Sequence, residues 1–169
     1  MIGRGIQPWL FEVEPYEGES LSHFLGRFRR LNHLSPSGLG QLAGIGAVIA
    51  RWERFHLNPF PTQTELEALA KVLMVDTNRL TQMLPSKGVG MQFEPIRLCG
   101  TCYAETPCHR MEWQYKSVWK CDRHNLKLLA KCPNCEAKFK QPSLWEAGRC
   151  ERCQKAFDTM QTLQKQAEH

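Results

Sequence analysis

Four close ligand pairs stand in a row in the second half of this 169-residue chain: Cys99-x2-Cys102, Cys121-x2-His124, Cys132-x2-Cys135 and Cys150-x2-Cys153. Two ligands three positions apart on a tight turn reach one tetrahedral zinc ion, and two such knuckles fill its four positions. Within the first set 18 residues separate the knuckles, and within the second 14, at or just short of zinc-ribbon spacing. Taken in order, the pairs make one site of three cysteines and a histidine, then one site of four cysteines. A cross-braced arrangement, first pair with third and second with fourth, is the alternative.

No run of about 18 apolar residues occurs, and Met1 to Leu10 lacks a basic region followed by an apolar one, so the expectation is a soluble protein kept in the cytoplasm. Thiols stay reduced there, which favours metal binding over disulfides for eight cysteines. Each zinc module is too small to bury an adequate core alone, so metal is expected to be part of its folding energy. With all four positions filled by protein, neither ion keeps an open position to activate water. The zinc deaminase signature fails, because Cys132-Pro133 replaces Pro-Cys and no His-x-Glu lies upstream. With no nucleophile elbow, P-loop or dinucleotide fingerprint either, no enzymatic role is expected.

The net charge of +5 is unevenly spread. Residues 1–84 carry 8 Lys/Arg against 8 Asp/Glu, and residues 85–169 carry 14 against 9. Seven thiolates holding two zinc ions would lower the second half to about +2, so bulk charge is a weak argument for nucleic acid. The local pattern is stronger: Lys116, Lys120, Arg123, Lys127 and Lys131 recur with few acids between them and can follow a phosphate backbone.

The chain divides into an arm at 1–18, a helical helix-turn-helix domain at 19–84 and a Pro/Gly-containing linker at 85–97. A first zinc module follows at 98–129, and a second at 130–169 ends in a C-terminal helix. Leu21, Phe24, Leu25, Phe28 and Leu31 form one stripe of a helix running to about Asn32, whose other face presents Arg27, Arg29 and Arg30. Ser35-Pro36 suits a helix start, and residues 47–55 look helical. Thr62-Gln-Thr-Glu65 is a capping box that leads into Leu66, Leu69, Ala70 and Leu73. Asp76 caps a short helix through Leu80 and Leu84, joined to the preceding one by a tight turn near Val75. The fold class is thus a mainly α N-terminal domain followed by two small zinc-ribbon-like modules.

Arg27, Arg29 and Arg30 are candidates for contact with nucleic acid or an acidic partner. Trp113 and Trp119 are expected in the core beside a zinc knuckle, whereas Trp9 and Trp145 are candidates for partner contact. Cys108 and His109 are left over after both sites are filled and read as a structural thiol and a surface imidazole. His23, His33 and His56 lack partner ligands and receive no metal role.

These residues resemble the TniQ family of transposon target-selection proteins, and in particular its short form in CRISPR-associated transposons. Pro15, Glu19-Ser20-Leu21, Arg27 and Asn32 are similar to the family's opening phrase. Arg97-Leu98-Cys99-x2-Cys102, Arg110, Trp113-Gln114, Cys121-x2-His124, Leu128 and Cys132-Pro133-x-Cys135 are similar to its second half. Gly100 departs from the proline that commonly follows the first cysteine, which should alter the knuckle's turn more than its ligation. The resemblance implies an adaptor that links a target-bound Cas effector, with its guide RNA and target DNA, to the AAA+ regulator TnsC. The competing expectation is an autonomous DNA-binding regulator that uses the helix pair.

Overall fold

The computed structural model describes residues 11–168. Among the described residues, five helices form the first half. Ser20 is extended and its hydroxyl accepts the His23 N–H, which starts α1 (Leu21–Leu31) where the apolar stripe begins. Ser35 does the same for α2 (Pro36–Ala43), which ends at left-handed Gly44. Helix α3 (Ile49–Glu53) is shorter than the expected 47–55, because residues 47–48 form a turn and Phe55 is left-handed at φ 61°.

The capping box forms on Thr62 and Glu65, and α4 (Gln63–Leu73) follows it. Met74 then turns left-handed at φ 58°, and Asp76 caps α5 (Thr77–Gln82) by accepting the Asn78 N–H. The apolar faces of all five helices meet in one core, where Phe24, Phe28, Leu39, Trp52, Leu69 and Leu80 are fully or nearly fully buried.

In the second half regular structure is short, as expected where metal substitutes for core. Helix α6 (Gly100–Glu105) is followed by β1 (Lys120–Cys121) and β2 (Leu126–Lys127), an antiparallel pair with Lys120 opposite Lys127. A second core gathers Leu98, Trp113, Trp145, Phe157 and Met160. The expected C-terminal helix is a 3₁₀ helix, Phe157–Leu163. Its three-residue repeat stacks Phe157 and Met160 on one face, and that face lies against α6. A Cβ on Gly100 would come within 2.7 Å of the Gln161 nitrogen, so only glycine allows this approach.

The two cores are joined by backbone contact. Ser20 N donates to His109 O at 2.8 Å and Met111 N to Gly18 O at 3.0 Å. The Ser22 hydroxyl donates to Glu53 O at 2.6 Å and accepts from Ser143 N at 3.2 Å. Gly26 lies so close to Ser143 that a Cβ would stand 2.2 Å from its carbonyl oxygen. Residues 85–97 are held along their length: Ser86 N donates to the Tyr115 hydroxyl, Gln92 N donates to Gln114 O, and Ile96 and Arg97 are buried. No helix among the described residues is long and apolar enough to cross a membrane.

Candidate metal centres and the joint between the cores

The eight ligands fall into two clusters, Cys99/Cys102/Cys121/His124 and Cys132/Cys135/Cys150/Cys153, with the ligand atoms of each within 4.8 Å of one another. The pairing is therefore sequential, not cross-braced. In the first cluster Cys102 Sγ lies 3.4 Å from Cys121 Sγ, and His124 Nδ1 lies 3.3–3.9 Å from the three sulfurs. In the second, Cys132–Cys153 and Cys135–Cys150 are 3.7 and 3.5 Å apart. A tetrahedron with Zn–S of about 2.3 Å has edges of about 3.7 Å, whereas a disulfide needs about 2.05 Å. Both clusters thus suit a structural zinc ion.

Local backbone geometry explains how the pairs converge. In three of the four knuckles the residue after the second ligand is left-handed: Asn125, Glu136 and Gln154. That turn lets Cys132 N reach Ala137 O at 2.8 Å and Cys150 N reach Lys155 O at 2.9 Å. The first knuckle instead uses α6, with Cys99 as its N-cap. Gly100 N donates to Gln164 Oε1 at 3.0 Å, a bond that proline at this position could not make.

Charge explains why a cation belongs there. Hydrogen bonds from Cys102 and Cys121 hold the Cys99 thiol far below its ordinary range, and the same crowding pushes Cys102 far above it. One thiolate opposes the next until a dication offsets most of their charge.

Glu105, which was not anticipated from the sequence, completes the first site. Its carboxylate accepts from His124 Nε2 at 2.7 Å and from Arg123 Nη2 at 2.8 Å. Placing the proton on Nε2 leaves Nδ1 free to face the sulfurs. The only sequence signal was an acid three residues after Cys102, one helical turn away.

The residues of the opening phrase build the joint. Glu19, 1% exposed, accepts two bonds from Arg27 at 2.6 and 2.8 Å, one from Tyr16 N at 3.0 Å and a short one from His23. Burial pushes its carboxyl up, but the bonds from His23 and Arg27 outweigh that and leave it below the usual range. Asn32 ties the C-terminal end of α1 to the Phe11 backbone. Across the joint, His109 Nδ1 meets the Ser20 hydroxyl at 2.9 Å and Nε2 meets Gln114 Oε1 at 3.1 Å. Gln114 also accepts from Arg97 N and donates to Gln92 O and Pro95 O.

His109 is therefore not a surface imidazole but a buried connector, and the joint leaves it no exposure. Cys108 is buried, as a structural thiol should be. Burial pushes the His109 pKa down to about 3. The unfolded ring takes up a proton below about pH 6.5 and the folded one does not, so its stabilising effect is complete above that pH and is lost as pH falls toward 3. His23 shifts the same way, through burial opposed by Glu19. Urea midpoints at saturating zinc are expected to fall below about pH 6, each such ring costing up to about 1.4 kcal/mol per pH unit. A flat profile down to about pH 5 would contradict neutral burial.

The other candidates scatter. Arg27 and Arg29 pair with the buried carboxylates of Glu19 and Glu53, and Arg30 donates to Ser143 O, so all three hold the fold together. Trp145, 5% exposed, packs on His109 and Phe157 with ring centroids 5.2 and 4.8 Å away, and a partner cannot reach it without opening the core. Trp9 lies outside the described residues. Trp113 is buried as expected, but Trp119 is 47% exposed because Trp113, Trp145 and Phe157 already fill the small core.

Lys116 and Lys127 are exposed, and Lys120 is half-buried with Nζ 5.7 Å from the Trp119 ring. Arg123 and Lys131 are also exposed, and each has an acid partner, Glu105 and Glu136.

A sequence model described as TniQ matches residues 10–128, which take in α1–α6, the Glu19, His109 and Gln114 part of the joint and the first metal centre. No curated protein matches the chain.

Proposed function

The chain belongs to the TniQ family of transposition-associated adaptor proteins, and from that premise we propose that it joins a target-bound CRISPR effector to the AAA+ regulator TnsC as a non-catalytic brace. The observation that carries this reading is the joint. The family's opening phrase (Glu19, Ser20, Arg27) and the residues between its first two knuckles (His109, Arg110, Gln114) are spent on locking two cores at a fixed geometry. A part that sets the distance between two partners needs that rigidity, and filled metal sites supply it without chemistry.

Lys120 and Lys127 stand directly opposite each other on β1 and β2, beside exposed Trp119. Like charges in register destabilise a ribbon unless an anion bridges them. This ribbon, rather than the α1 arginines, suits guide RNA or DNA backbone, with Trp119 offering a stacking face. The alternative, independent DNA reading by α4 and α5, is poorly served: α5 has six residues and its one arginine donates to Pro15 O.

The test is a pull-down of the zinc-loaded chain with TnsC and with effector ribonucleoprotein. Both are expected to be retained. Lys120→Glu with Lys127→Glu is expected to weaken only the ribonucleoprotein, by about tenfold or more, and to flatten its salt dependence. Retention of neither partner would overturn the proposal.

A further inference from the structure

A cavity of about 1360 Å³ opens where the two halves meet, away from both metal centres. Its floor is apolar: Phe55, Leu57, Leu84, Val89 and Met91 line it, and Phe60 and Phe93 stand about half-exposed at its edge. The wall made by Pro85–Met91 is pinned by Ser86 N to the Tyr115 hydroxyl and by Lys116 N to Gly90 O. The groove is therefore built into the fold and does not depend on a loose loop.

Its charge has one sign. Arg51 and Lys87 line it, the Lys116 stem runs beside Gly90, and none of the described residues lining it is Asp or Glu. Glu94, next to Phe93, lines a neighbouring depression instead.

We infer that this groove docks a short apolar segment of a partner protein, with large hydrophobic side chains seated between Phe60, Phe93 and Leu84 and acidic residues beside them facing Arg51 and Lys87. Apolar anchors desolvated in a preformed groove supply affinity, and complementary rim charges supply registry and speed of encounter. A nucleic acid strand fits less well, since the lining is mainly apolar and two or three cations fall short of the charge a phosphate backbone presents. A two-fold contact between copies of this chain would bring two grooves of the same charge sign together.

The inference leans on the adaptor reading only in supposing a protein partner, and its test uses no transposition protein. A random-peptide display library is selected on the zinc-loaded full chain. The enriched peptides are then measured by fluorescence anisotropy against the parent, Phe93→Asp and Lys87→Glu, alongside a single-stranded RNA oligonucleotide.

Phe93 and Lys87 are exposed, and retained zinc and helicity establish that each variant is folded. Expected are peptides carrying paired large apolar residues with Asp or Glu nearby, weakened about 30-fold or more by Phe93→Asp and about tenfold by Lys87→Glu. No enrichment, enrichment without acidic bias, binding by both variants equal to that of the parent, or RNA displacing the peptides from the groove would each overturn it. Loss here with TnsC still retained by the chain would remove the groove and leave the adaptor reading in place.

Discussion

Stripping zinc from the folded chain is expected to dissolve its second core while leaving most of the helical signal. The apolar side chains of that core surround ligand residues: Cys99, Cys102, Cys121, Cys132 and Cys150 are themselves among its buried members. Structural zinc contributes on the order of 10–16 kcal/mol per site, as much as the whole stability of an ordinary domain. Helices α1–α5 keep a core of their own around Phe24, Leu39 and Leu69. Near-ultraviolet circular dichroism, reporting Trp113 and Trp145, should collapse on chelation, while far-ultraviolet helicity falls only in part. Zinc should leave in two steps, because the two ligand sets share no residue. An unchanged near-ultraviolet spectrum after both ions are gone would contradict metal-dependent folding.

Replacing Glu19 with alanine is the second large effect. It would strand the Arg27 guanidinium and the His23 ring and free the Tyr16 N–H, at the strand-like contact where Glu19 pairs with Arg110. Breaking one partner out of a buried ion pair costs about 3–5 kcal/mol, and the partly exposed Arg27 places this case toward the lower end. Glu19→Gln keeps some hydrogen bonding and should cost less. The native carboxylate is held below its ordinary range, so its contribution is present at neutral pH and is lost as pH falls through that range. The Glu19→Ala penalty should therefore shrink in acid. Urea unfolding of the zinc-loaded protein measures this, and a loss under about 1 kcal/mol at neutral pH would remove Glu19 from the joint.

What the sequence revealed and what it hid follow from interaction range. Knuckle spacing, the Ser35 cap, the Thr62–Glu65 box and the Asp76 start are decided within a few residues, and each forms as read. His109 was misplaced because its partner across the joint, the Ser20 hydroxyl, lies 89 positions away and no local pattern encodes it. Trp119 was misplaced for a related reason: composition offered several tryptophans for one small core, and only packing decides which of them it holds. The C-terminal segment has helical composition, yet contact with α6 across Gly100 selects a tighter helix. Glu19 and Gln114 were legible only as members of a familiar phrase, and their work as hydrogen-bond hubs emerges once both halves are in place. Glu105 carried too weak a signal, one acid among many, until His124 was seen to face it.

Zinc-edge X-ray absorption on the purified chain, normalised to metal content, addresses the central claim most directly. The two sites together offer seven sulfurs and one imidazole nitrogen. The predicted spectrum has two zinc ions per chain, an average shell dominated by sulfur at about 2.3 Å, and a minor nitrogen contribution near 2.0 Å. A shell with a substantial oxygen component, or a single ion per chain, would mean an open or missing site and would contradict a saturated, purely structural pair of metals.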